Sequence, residues 1–106
     1  MDNKNLENSL CLIIGKDKYK TEKMIKDIID TYPKGEIHQV SIMSNKIVEV
    51  VTTKRKVIKT MSLEDIKLRG YRPKEIFVDT ELDDYETLHY VFPLLQNVDK
   101  EDIHGF

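Results

Sequence analysis

Two short apolar runs constrain this chain more than any other feature. Leu10-Cys11-Leu12-Ile13-Ile14 is closed by Gly15, and Ile76-Phe77-Val78 follows Pro73 and is closed by Asp79. Neither alternates with polar residues, so each reads as a strand buried on both faces, as in the middle of a parallel sheet. A helical pattern follows each run. After the first, Met24, Ile25, Ile28, Ile29 and Tyr32 recur at helical spacing while lysines fill the other faces, and Pro33 and Gly35 stop the element. After the second, Asp83 and Asp84 suit the positive amino end of a helix. That helix is expected to bury Tyr85, Leu88 and Phe92, with Pro93 kinking or restarting it. The fold class predicted is α/β, a small sandwich of two or three layers. Its mixed sheet has a parallel central pair near 10–14 and 75–79, and its helices lie near 17–32 and 83–96.

Between these pairs, Glu36–Met43, Lys46–Thr53 and Lys56–Met61 are rich in β-branched residues, broken at Ser44-Asn45 and at Lys54-Arg55. They predict consecutive strands with a hairpin near 46–61. Ser62 and Asp65 resemble a helix start of the capping type and Gly70 a stop, which predicts a short helix or turn over 63–69. A chain of 106 residues can bury one core. With no repeat or linker to divide it, 1–106 is expected to be a single domain, 1–8 and 98–106 fraying unless Ile103 and Phe106 dock.

Composition excludes several classes. The chain is 40% hydrophobic and 34% charged, a globular balance rather than a disordered one. Its longest apolar runs fall far short of the roughly 20 residues a membrane-spanning helix needs. The polar amino terminus lacks the basic start and apolar stretch of a secretory signal, so a cytoplasmic protein is expected. The net charge of −2 gives no global drive toward nucleic acid. Cys11 is the single cysteine and lies within an apolar run, which predicts a buried core thiol. His38, His89 and His104 are scattered without metal-ligand spacing or a paired nucleophile, so no catalytic residue is assigned.

Charged residues gather in three places. Lys16, Lys18 and Lys20 follow Gly15 at a predicted helix amino terminus, where backbone N–H groups and lysines favour a phosphate; Gly15, Lys16, Lys20 and Thr21 are the candidate phosphate-binding residues. Asp79, Glu81, Asp83 and Asp84 cluster at the carboxyl end of a predicted central strand, the edge where open α/β sheets place ligands. Their oxygen-only chemistry suits magnesium or calcium, with Asp79 and Glu81 as candidate metal ligands. Lys54, Arg55, Lys56 and Lys59, joined by Arg69 and Arg72, make a basic patch around a hairpin tip that could contact nucleic-acid phosphates or protect a sheet edge.

The stretch Leu68-Arg69-Gly70-Tyr71-Arg72-Pro73-Lys74-Glu75-Ile76-Phe77-Val78-Asp79-Thr80-Glu81 resembles the segment leading into the Walker B strand of P-loop ATPases of the phage large-terminase and helicase-like motor type. The strands over 45–60 are similar to those that precede it. This resemblance implies that Asp79 would hold magnesium. The water-orienting glutamate expected beside it is replaced by Thr80, with Glu81 one residue later on the same face as Asp79. The phosphate loop needs G-x-x-x-x-G-K-[ST]. Gly15 to Thr21 keeps the first glycine and a final Lys-Thr, is one residue short, and has no second glycine.

Three readings follow. The first is a small non-catalytic binding protein of phage or mobile-element type on a degenerate P-loop-like scaffold, acting on a partner protein and needing no cofactor. The second is a nucleic-acid-binding accessory factor that uses the basic hairpin. The third is a magnesium-dependent nucleotide- or phosphate-processing enzyme centred on Asp79 and Glu81. A sheet edge left open by the hairpin could also be covered by a second copy as a homodimer.

Overall fold

The computed structural model describes residues 10–64 and 71–106. Its central element is β1, Leu10–Gly15, in which Cys11, Leu12, Ile13 and Ile14 are at most 1% exposed. Such a run can be buried only if neighbours cover both faces and both edges, and the sheet supplies them. Strand β4, Val57–Ser62, lies parallel to β1 on one side, with Leu12 opposite Lys59. Strand β5, Glu75–Val78, lies parallel on the other, with Leu12 opposite Ile76. The parallel central pair expected from the sequence is present.

The complete sheet has six strands in the order β2-β3-β4-β1-β5-β6. Strands β2 (Ile37–Met43), β3 (Lys46–Thr52) and β4 form an antiparallel meander, as the β-branched runs predict. Ser44 and Asn45 turn β2 into β3 with φ of 53° and 65°, the paired left-handed geometry that matches strand twist in two-residue hairpins. Strand β6, Ile103–Gly105, pairs parallel with β5. The Phe106 amide donates to the Val78 carbonyl at 3.0 Å and its carbonyl accepts from Thr80 N at 2.9 Å, fixing the last residue to the sheet.

Helix α1, Lys18–Asp30, covers one face. Met24, Ile25, Ile28 and Ile29 pack there on Cys11, Ile13, Val50 and Ile58, following the spacing read from the sequence. The other face is covered by the segment after β5. It starts as α2, Asp84–Glu86, where Asp83 and Glu86 form a reciprocal capping box, widens into a π turn over Thr87–Val91, and tightens into a 3₁₀ turn over Phe92–Leu94 around Pro93. The result is a three-layer α/β sandwich.

One expectation about this segment is corrected. Tyr85, Leu88 and Phe92 are 64%, 56% and 56% exposed, and the buried side is Leu82, Val91 and Leu94, packed on Leu12, Ile14, Met61 and Ile76. The smaller aliphatic set seals the sheet, and the π turn sets its phase. Ser62 is the last residue of β4. Asp65, Gly70 and most of the expected helix over 63–69 lie outside the described residues, as do 1–9. No helix among the described residues is long and apolar enough to cross a membrane.

Ile13 is fully buried among α1 and β4 residues, so Ile13→Ala removes apolar contact and leaves a cavity. The expected loss is about 3 kcal/mol, read as a lower midpoint in urea unfolding; a change below about 1 kcal/mol would contradict the two-faced burial of β1.

Candidate functional site

Parallel strands deliver their carboxyl ends to one edge, and the connections from β1 and β5 leave that edge in opposite directions. From β1 the chain runs through α1 toward β2; from β5 it runs through α2 toward β6. The crevice between two such strands is where open α/β sheets place ligands. Gly15 to Thr21 forms one wall here, and Asp79 to Glu86 forms the other.

The two walls are joined by charge. Asp79 follows β5 directly and its side chain is wholly buried. One carboxylate oxygen accepts from the Lys16 backbone N–H at 2.9 Å. The other accepts from Lys20 Nζ at 2.7 Å and from the Glu81 backbone N–H at 2.9 Å. Lys20 Nζ also lies 3.3 Å from Glu81 Oε2, so one ammonium sits between the two carboxylates named as candidate metal ligands. Outside this pair, Lys16 Nζ reaches Glu86 at 3.4 Å. Burial works against ionisation of Asp79, but the bonds from Lys20, Lys16 and Glu81 outweigh it and hold its carboxyl below the ordinary range. The hydrogen bond to Asp79 raises Lys20 in turn.

The loop between β1 and α1 is short. Asp17 caps α1, its side chain accepting from Lys20 N at 3.0 Å, so only Lys16 and Asp17 separate Gly15 from the helix. Gly15 is required by close approach: a Cβ there would lie 2.6 Å from Thr21 Cγ2. Gly15, Lys16, Lys20 and Thr21 are thus brought together beside Asp79. Two of the backbone donors at this end, Lys16 N and Lys20 N, are bound by Asp79 and Asp17. Among the described groups, the crevice holds its own cation and its own anions.

The basic residues are divided differently. Lys54 and Arg55 are exposed at the turn joining β3 to β4, at the opposite edge of the sheet from Asp79. Lys56 is bound to Glu75 at 2.8 Å and Lys59 to Glu49 at 3.3 Å. Arg72 is exposed ahead of β5, and Arg69 lies outside the described residues.

A cluster that sequence reading missed lies at the amino edge, on the α1 face. His104 Nε2 is 2.9 Å from Glu75 Oε2, and ligand atoms of Glu75, Asp102 and His104 lie within 4.8 Å of one another. Burial opposes ionisation of Glu75, yet Lys56 and His104 together hold its carboxyl below the ordinary range. The signal was not available locally, because Glu75 and His104 are 29 positions apart and meet only through the pairing of β5 with β6. Nearby Cys11 is pushed up to about 12, first by burial and then by the charge of Glu75.

Comparison of the chain with protein-family models, with curated proteins and with solved structures finds no match.

Three outcomes follow from these geometries. Asp79→Asn keeps the shape but turns an amide N–H₂ or a neutral oxygen toward Lys20, and should cost about 2 kcal/mol, tempered by solvent on the exposed flank of Lys20. Because the folded pKa of Asp79 is depressed, its contribution is complete above the unfolded value near 3.8 and is lost as pH falls toward the folded one. Acid unfolding of Asp79→Asn should therefore show a shallower slope below that pH than the parent, and equal slopes would exclude the linkage. A native-state thiol titration at mildly alkaline pH should leave Cys11 unlabelled until denaturant is added.

Proposed function

We propose that this chain is a non-catalytic binding protein on a P-loop-like α/β scaffold, of the kind a phage or other mobile element carries, and that it acts by contacting a partner protein. The observation that carries the reading is the state of Asp79. In a phosphoryl-transfer core this position offers carboxylate oxygens to magnesium while the neighbouring loop offers N–H groups to phosphate. In this chain Lys20 and the Lys16 amide bind the oxygens of Asp79, and Asp17 takes the Lys20 amide. The groups satisfy one another, which favours a structural clasp over a reaction centre.

The outward side of the α2 region supports a protein partner. Tyr85, Leu88 and Phe92 are all exposed there, and the Tyr85 and His89 rings stack with centroids 4.1 Å apart. Scattered exposed apolar residues are ordinary, but three large ones within one short segment, two of them aromatic, have the composition of a binding surface.

Purified chain supplied with magnesium and ATP should release no phosphate above the buffer rate. Turnover that disappears in Asp79→Ala would overturn the non-catalytic reading. Leu88→Ser combined with Phe92→Ser should leave stability within about 0.5 kcal/mol of the parent, since neither side chain is in the core, while abolishing partner binding.

A further inference from the structure

The cluster at the amino edge of β5 has the donor set of a transition-metal site. Pairing of β5 with β6 sets Ile76 opposite Ile103 and Phe77 opposite His104. Side chains alternate along a strand, so Asp102 and His104, which flank Ile103, share one side of the sheet with Glu75 and Phe77. The Phe77 and His104 rings meet on that side with centroids 4.5 Å apart. Ligand atoms of Glu75, Asp102 and His104 all lie within 4.8 Å of one another, and all three residues are half-buried.

The bonds within the cluster leave it a coordinating side. Lys56 Nζ holds Glu75 Oε1 at 2.8 Å, while Glu75 Oε2 faces His104 Nε2 at 2.9 Å. The carboxylate is therefore oriented through one oxygen and presents the other, the arrangement of a ligating carboxylate whose far oxygen a neighbour holds. The Asp102 carboxylate has no hydrogen-bond or ion-pair partner among the described residues. Two ligand atoms bound tetrahedrally to zinc, each at about 2.1 Å, stand about 3.4 Å apart, so the 2.9 Å contact has to open only slightly to admit the ion.

We propose that Glu75, Asp102 and His104 bind one divalent ion of the zinc class, through Glu75 Oε2, an Asp102 carboxylate oxygen and His104 Nε2, with water completing the coordination. Imidazole favours zinc, cobalt or nickel over magnesium and calcium, and two carboxylates balance the charge of a divalent ion. The ion takes the place of the proton between Nε2 and Oε2, because a ligating nitrogen must give its lone pair to the metal. Its ligands come from the start of β5, the turn Lys100–Asp102 and β6, so it fastens β6 to the sheet. The site lies at the opposite end of β5 from Asp79 and stands whether or not a partner protein binds the α2 face.

The test is calorimetry of the intact chain with zinc, with magnesium as competitor, followed by the absorption spectrum of the cobalt form. Zinc should bind one ion per chain at micromolar concentration, resist displacement by magnesium, and at saturation raise the melting temperature by about 5 °C. His104→Ala should weaken zinc about tenfold or more. Asp102→Asn should do the same, and because it breaks no contact among the described residues it should fold as the parent does. His38→Ala removes an exposed imidazole on β2 and should leave the affinity unchanged. Cobalt held by nitrogen and oxygen should show visible bands without a strong thiolate band in the near ultraviolet. The proposal fails if zinc does not saturate below millimolar concentration, or if magnesium displaces it at equal concentration. It fails equally if Asp102→Asn has no effect, if His38→Ala costs as much as His104→Ala, or if the thiolate band appears.

Discussion

Burial of β1 on both faces is the constraint from which the rest of this molecule follows. Four consecutive apolar side chains, Cys11 to Ile14, point alternately to opposite sides, so a single covering layer would leave half of them in water. Helix α1 must cover one side and the segment after β5 the other, and both edges of β1 must find hydrogen-bonding partners. Parallel pairing with β4 and β5 meets the second demand and brings their carboxyl ends together. The position of Asp79 beside the start of α1 is therefore a product of core formation.

That placement creates an electrostatic problem, and the local solution defines the chemistry of the crevice. A carboxylate withdrawn from water is tolerable only when its oxygens are bonded. Lys20 supplies the countercharge, and the Lys16 and Glu81 amides supply further donors. Each of these contacts removes a group that an incoming phosphate or metal ion would need.

Much of the fold was legible because its signals are local. Leu10 to Ile14 and Ile76 to Val78 announced doubly buried strands, the spacing of Met24, Ile25, Ile28 and Ile29 gave the inward side of α1, and Ser44-Asn45 marked a tight turn. The α2 region was read with the wrong side inward because Tyr85, Leu88 and Phe92 carry more apolar area than Val91 and Leu94, and periodicity weighs size without knowing shape. Asp79 could be singled out from the strand it ends, and Lys20 from its place after Gly15. Their mutual bond depends on tertiary approach. The meeting of Glu75 with His104 was hidden more deeply, since a strand as short as Ile103–Gly105 has no pattern of its own and exists only because β5 offers it an edge.

The wide turn over Thr87–Val91 accommodates one residue more than an ordinary helical turn. Each residue of an α-helix advances the chain by about 100° around the axis, so this extra position rotates everything after it by that amount relative to what precedes it. Loss of a single residue from the turn would swing Val91 and Leu94 away from the sheet and carry their outward neighbours toward it. Length at this one point thus acts as a selector between a sealed interior and a displayed surface.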